Sequence, residues 1–212
     1  MVQIELFPKK GRGGKRRGAG RPAKGVRSSE RHETREPVRA SWPVHVTLRV
    51  RGGLYLRKHR IWRAIAKASR AVTSGTVVHA SVQHDHIHLI AEAVDQYALA
   101  KAMHAFQVSA AHWINRAEKR SGRVFADRYH AHVLKTPSET RNAIRYVLSN
   151  WRKHGEDQHC TWAVDPFSSG YAFFDERAPS GYEPMATSPP RSWLLREGWQ
   201  RAGAITPMER PG

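Results

Sequence analysis

The sequence is poor in cysteine, poor in acidic residues and without a long apolar run, and each shortage excludes a class of protein. The single cysteine among 212 residues, Cys160, cannot close an internal disulfide or build a thiolate zinc site by itself. A reducing compartment, the cytoplasm, is therefore the expected location. No apolar run approaches the roughly 18 residues that a membrane-spanning helix requires. The N-terminus has no apolar signal segment and turns basic within its first ten residues, which argues against secretion. Only 18 Asp and Glu stand against 36 Lys and Arg, a formal net charge of +18. Such an excess repels itself in the free protein, and a polyanion relieves the repulsion. No charged segment carries the apolar face of a membrane-lying helix, so nucleic acid is the expected partner.

What the sequence does contain, 40% hydrophobic residues, is enough for one compact domain with tails. Residues 1–40 read as a basic, disordered DNA-binding arm. KKGRGGKRRGAGRPAK at 9–24 is too glycine-rich for a helix and too polar for a core. It carries Arg16, Arg17 and Arg21, and Gly20-Arg21-Pro22 resembles the centre of an AT-hook. A generic phosphate-binding arm is the simpler expectation. Residues 41–155 hold the periodic, domain-forming sequence. Residues 156–212 read as an extension partly packed on the core, with a short helix over 192–201 docking Trp193, Leu194 and Trp199.

Within 41–155 the period switches between two and 3.6. VHVTLRV at 44–50 reads as a strand, 56–72 as an amphipathic helix, TVVHASV at 76–82 and HIHLIA at 86–91 as a hairpin. A long helix follows over 99–120, a fourth strand over 129–135, and a last helix with Ser138 as N-cap, Arg141 at the capping-box position and Gly155 as its stop. The order β-α-β-β-α-β plus a helix predicts an α+β ferredoxin-like sandwich, with both intervening helices on one sheet face. The other face is left for nucleic acid or the last helix.

His86 and His88 flank Ile87 at the start of a strand, where a period of two sends both imidazoles to one face and Ile87 into the core. Such a pair is half of a divalent-metal site, or two solvated strand histidines. His130 and His132 form a second H-x-H, between more polar flanks that suit a phosphate contact or a solvated face; His84 lies in the preceding turn. The last helix adds Tyr146 and Asn150 one turn apart on one face. Tyrosine offers a phenol nucleophile, and asparagine a carbonyl oxygen suited to a hard cation. A phenol, with an ordinary pKa near 10, needs help at neutral pH to attack a phosphodiester. Alone, Tyr146 could equally be an aromatic packed on the sheet.

Taken together, PVHVTLR, HDHIHLIAE and RNAIRYVLSNWRKHG, in that order over residues 41–155, resemble the HUH-endonuclease transposases with one tyrosine, and among them the REP-associated tyrosine transposases. The corresponding helix there reads Tyr-Ile-x-x-Asn-Pro; here Trp151 stands in place of the proline. The resemblance implies a ferredoxin-like fold, Mg²⁺ or Mn²⁺ held by His86, His88 and Asn150, and Tyr146 as a nucleophile that forms a 5′-phosphotyrosine link. It implies single-stranded DNA beside a hairpin as substrate, a bacterial, nucleoid-associated setting, and either a monomer or a homodimer. Arg128, Lys135, Arg145, Arg152 and Lys153 are further candidate phosphate contacts. Two other readings share part of this pattern. One is a non-catalytic nucleic-acid-binding regulator derived from a transposase. The other is a phosphoesterase in which the two H-x-H pairs share a metal and Tyr146 is dispensable.

Overall fold

Alternation along β1 (Val44–Arg49) buries Val44, Val46 and Leu48 and turns His45 and Thr47 to the other face. The computed structural model describes residues 35–211 apart from 159, 183, 184 and 186. After β1 come α1 (His59–Ser69), β2 (Thr76–Val82), β3 (His86–Glu92), α2 (Gln96–Ala117), β4 (His130–Val133) and α3 (Pro137–Lys153). The sheet order is β2-β3-β1-β4, with every neighbouring pair antiparallel. With helices connecting β1 to β2 and β3 to β4, this is the expected ferredoxin-like α+β sandwich.

The two sheet faces carry different helices. Val46, Leu48, Ala80, Val82, Ile87 and Leu89 point toward α1 and α2, where Ile61, Ile65, Met103 and Phe106 complete the main core. Val78 and Ile90 point the other way and meet Ile144, Val147 and Leu148 of α3. Each such side chain contributes roughly 1.5–3 kcal/mol when fully buried. The last helix is therefore pinned on the face that carries His86 and His88.

Element ends differ from the periodicity reading, for local reasons. α1 starts at His59 because the Leu56 N–H donates to the His84 carbonyl (2.9 Å) and Lys58 stays extended. α2 starts earlier than expected because the Asp95 carboxylate caps Tyr97 and Ala98 N–H, both at 2.8 Å. The N-cap of α3 is Thr136, not Ser138: its hydroxyl accepts from Glu139 N–H while Glu139 reaches back to Thr136 N–H, and Pro137 opens the first turn. The capping-box glutamate thus sits two residues before Arg141.

The C-terminal extension packs on both sides of the sheet. α4 (Gly170–Phe174), α5 (Trp193–Arg196) and a 3₁₀ turn (Gly198–Ala202) follow in order. Leu195 and Ile205 join the α3 cluster, while Tyr182 stacks on Trp62 at 5.7 Å. Trp193 corrects one expectation. It is 43% exposed beneath Arg201, and Leu194 and Leu195 are the buried residues of that helix. Ser192 caps the helix, and a four-residue turn of this kind buries only one side.

The extension is fastened by a buried ion pair. The Arg57 guanidinium donates to both Asp165 carboxylate oxygens (3.1 and 3.0 Å) and to the Val82 carbonyl (2.9 Å), and it lies over the Phe167 ring. Asp165 is fully buried. Arg57→Ala should lower stability by about 3–5 kcal/mol in urea unfolding, because it leaves a carboxylate uncompensated in the interior. A loss below about 1 kcal/mol would mean that water reaches Asp165.

His79 lies beside a bulge in β2, buried edge-on against Phe173. Burial lowers its pKa to about 4. In the folded state it stays neutral where an unfolded histidine, near 6.5, takes up a proton. Its stabilising contribution is thus full above about pH 6.5 and is lost as pH falls toward 4, by up to about 3 kcal/mol. His79→Leu should flatten the stability–pH profile across that window. A profile parallel to the parent protein's would mean that His79 takes no part.

Candidate active site

β3 and α3 bring the expected residues to one place. His86 and His88 project from the same face of β3 with ring centroids 4.6 Å apart, while Ile87 between them is fully buried in the main core. Asn150 lies opposite, its side-chain amide nitrogen 3.3 Å from His88 Nε2. Tyr146, one helical turn earlier, sets its ring edge-on to His88 at 5.1 Å. Tyr146 is half-buried, and its flank opens on a groove of about 510 Å³ lined by His45, His132, Asn142, Arg145 and Pro211.

The hydrogen bonds select the imidazole tautomers. The Asn150 amide nitrogen can only donate, so the partner His88 Nε2 is the lone-pair nitrogen and Nδ1 carries the hydrogen. That hydrogen is directed at Thr47 Oγ1 (3.2 Å) and His45 Nε2 (3.1 Å). Burial, reinforced by His45, His86 and His154, holds His88 well below the ordinary histidine value. The His86 Nδ1 donates to Asp85 Oδ1 at 2.7 Å, which leaves its Nε2 available. Burial lowers the His86 pKa too, against the pull of Asp85. Two neutral imidazoles, each oriented through Nδ1, are the form in which histidine binds a metal.

The residues present fit a hard divalent cation, and Asn150 carries that inference. Its side-chain oxygen is buried and accepts no hydrogen bond among the described residues. Such an oxygen is costly to leave unsatisfied, and a cation would use it directly. Among the described residues no three His, Cys, Asp or Glu side chains are placed to hold a metal ion by themselves. A site here would therefore consist of two imidazoles and one amide. The second H-x-H pair does not complete it: His130 and His132 lie on β4, with β1 between them and β3. Thr47 pairs with His88 on one side and His130 on the other, which separates the two histidines by about two strand spacings, roughly 10 Å.

His45, Thr47, Asp85 and His154 gained no role from the sequence. His45 and Thr47 occupy the polar positions of an alternating strand, a usable signal once the covered face is known. Asp85 directly precedes the first histidine. His154 reaches His86 at 5.8 Å because Trp151, where the resembling helix has proline, is buried and lets α3 continue to Lys153.

The expected phosphate contacts divide. Arg152 is a correction: it is buried, and its guanidinium is committed to Asp157, to the Ala163 and Pro207 carbonyls and to Met208. It fastens the C-terminal segment to α3 and presents no face to DNA. Arg145 is paired with Glu209 at 3.0 Å beside the groove. Arg128, Lys135 and Lys153 are exposed; Lys135 pairs with Glu36, and Lys153 lies 5.7 Å from the Tyr146 ring. His84 is exposed and meets Tyr55 edge-on. Arg16, Arg17, Arg21 and the AT-hook-like step lie outside the described residues. No helix among the described residues is long and apolar enough to cross a membrane.

Comparison with known proteins bears on the same segment. Residues 55–150 match the family described as "Transposase IS200 like". That span contains His86, His88, Tyr146 and Asn150, and leaves out β1 and the C-terminal extension. A solved structure described as "Structure of the REP associates tyrosine transposase bound to a REP hairpin" is similar with a TM-score of 0.52 at 17% identity, over 76% of this chain and 93% of that one. At that identity the likeness speaks for the fold. No curated protein matches the sequence. Residues 55–150 are thus similar to the IS200-like transposases, and the fold is similar to that of a REP-associated tyrosine transposase.

Proposed function

We propose that the protein cuts and rejoins single-stranded DNA, with Tyr146 as nucleophile and Mg²⁺ or Mn²⁺ held by His86, His88 and Asn150. The supporting observation is the shared helix turn: Asn150 touches His88 while Tyr146 flanks the same imidazole at 5.1 Å. When bound, the cation polarises the scissile phosphate and offsets the charge that develops on it. The chain's own groups do the rest. Thr47, His45 and Asp85 hold the two imidazoles in their binding tautomers. α3 holds the Tyr146 ring between His88, His45 and Lys153, so the phenol oxygen is delivered from one direction.

In the step itself the Tyr146 oxygen attacks phosphorus, a phosphotyrosine ester forms and the bond to the DNA 3′-oxygen breaks. The phenol gives its proton to solvent, and the leaving 3′-oxygen takes one from solvent, so it departs as a free 3′-OH and the exchange balances. The protein is left joined to the 5′-phosphate, and a later 3′-OH reverses the exchange without a nucleotide cofactor. The domain division proposed with this function is a basic arm over 1–40, the catalytic domain over 41–155 and an accessory extension over 156–212. Hairpin-bearing DNA is the proposed substrate because the structurally similar transposase is described as bound to a REP hairpin. Whether one copy or two carry out the reaction does not alter these contacts, because one chain supplies them all.

The experiment is incubation of the full chain with labelled hairpin-bearing single-stranded DNA and Mg²⁺ or Mn²⁺. A protein–DNA adduct that survives denaturation is expected. Cleavage without an adduct would overturn the mechanism, and DNA binding without cleavage would favour the non-catalytic regulator.

A further inference from the structure

A second cavity borders the histidine pair, and of its lining only Asp85 takes part in the chemistry above. It is an open basin of about 660 Å³ between the end of β1, the turn before β3 and residues 124–127. Its walls are joined by main-chain bonds. Val50 N–H donates to the Asp85 carbonyl (2.9 Å), Leu56 N–H to His84 (2.9 Å), Arg51 N–H to Val124 (2.8 Å), and Ala126 N–H to Arg49 (3.0 Å). The basin is thus formed before any ligand arrives, at a size suited to a small molecule or one nucleotide unit. On its rim, Gly53 takes a φ of +86°, and a Cβ at Gly52 or Gly53 would meet nothing within 4 Å. The chain there turns away and leaves the mouth open.

The lining combines three chemistries. Tyr55 and His84 meet edge to face at 4.6 Å and offer ring surfaces for stacking. Arg49 and Arg51 supply guanidinium donors, and no ion pair engages Arg51 among the described residues. Asp127 supplies carboxylate acceptors, as does the Asp85 oxygen not bonded to His86. A phosphate alone would call for the arginines and be repelled by the carboxylates, so the set describes a base as well as a backbone. Guanine presents two acceptors, O6 and N7, on one edge, the usual target of arginine. Its adjacent edge presents two donors, N1–H and the N2 amine, which match a carboxylate. Adenine, cytosine and thymine present neither of these two-group edges.

We propose that this basin holds one unpaired guanine nucleotide of the DNA strand that reaches Tyr146. The inference rests on the strand-cutting reading, because the basin gains its meaning from its position. Arg49 pairs in register with His86, and Asp85 both lines the basin and orients His86. A base seated there fixes which neighbouring phosphate lies over the histidines. The basin is accordingly a specificity site, and Asp85 links it to the catalytic centre.

The test measures binding by fluorescence anisotropy with the Tyr146→Phe protein in EDTA, so that neither metal nor cleavage enters. The probes are labelled oligo-dT strands carrying one dG, dA, dC or deoxyinosine. The dG strand should bind about tenfold or more tightly than the others. Deoxyinosine, which lacks the N2 amine, should lose most of that gain with the protein unchanged. Asp127→Asn should remove the preference for dG and keep the affinity for plain oligo-dT, while Tyr55→Ala weakens every strand. Equal affinity for all strands, or a dG preference that survives Asp127→Asn, would overturn the proposal. An adduct that forms normally alongside base-independent binding sinks the pocket alone. Base-dependent binding with no adduct in the parent protein sinks the cutting reaction alone.

Discussion

Tyr146→Phe is expected to abolish DNA cleavage and the covalent adduct while leaving DNA binding within a few-fold of the parent protein. Only the hydroxyl is removed. The ring keeps its contacts with His88 at 5.1 Å, His45 at 5.8 Å and Lys153 at 5.7 Å, so the fold has no reason to change. Loss of the only nucleophile in a covalent route lowers the rate by about 10³-fold or more. Denaturing gels with end-labelled strands would read both adduct and product. Cleavage that persists in Tyr146→Phe would transfer the chemistry to activated water, as in a phosphoesterase. The separation of the two H-x-H pairs across β1 already speaks against that alternative.

Replacing Asn150 with leucine should separate metal binding from stability. The asparagine is wholly buried, its nitrogen on His88 and its oxygen without a partner. In the metal-free protein that oxygen is a cost of about 1–3 kcal/mol, which an apolar side chain of similar volume avoids. Asn150→Leu also removes the hydrogen bond to His88 Nε2, a cost of similar size, so metal-free stability should change by no more than about 1 kcal/mol. Affinity for Mn²⁺, followed by calorimetry, should fall by about 100-fold or more once one of three donors is gone. His88→Ala should match the loss of affinity and also lower stability, because it opens a cavity below His45 and Thr47. Unaltered Mn²⁺ affinity in Asn150→Leu would remove Asn150 from the ligand set. A large drop in metal-free stability would mean that its polar contacts are structural.

Which residues of the candidate site share a face is legible in the sequence, because that spacing is local. H-x-H on a strand places two imidazoles on one face, and a four-residue step on a helix places Tyr146 and Asn150 on one face. Neither rule needs tertiary information. The phosphate contacts were not legible in this way. Arg152 and Lys153 are neighbouring basic residues in the sequence, yet one is buried against Asp157 and the other is exposed. That difference depends on where the C-terminal segment crosses α3. The N-cap of α3 is a local signal too: Thr136-Pro137-Ser138-Glu139 contains the capping box, two residues before Ser138.

By itself, the sequence determined the order of strands and helices, the ferredoxin-like arrangement that follows from it, and the residue types able to support tyrosine chemistry. Those are consequences of periodicity and of short, fixed spacings. The resemblance already implied His86 and His88 as the pair that goes with Asn150; the tertiary structure adds the contact itself and sets His130 and His132 apart, because strand order in the sheet, β2-β3-β1-β4, is a long-range property. It also decided that His45 and Thr47 orient His88, that Arg152 fastens the extension, and that Arg49, Tyr55, His84 and Asp127 surround one basin. In each case residues far apart in the chain become neighbours through packing, and no local rule of spacing reports that.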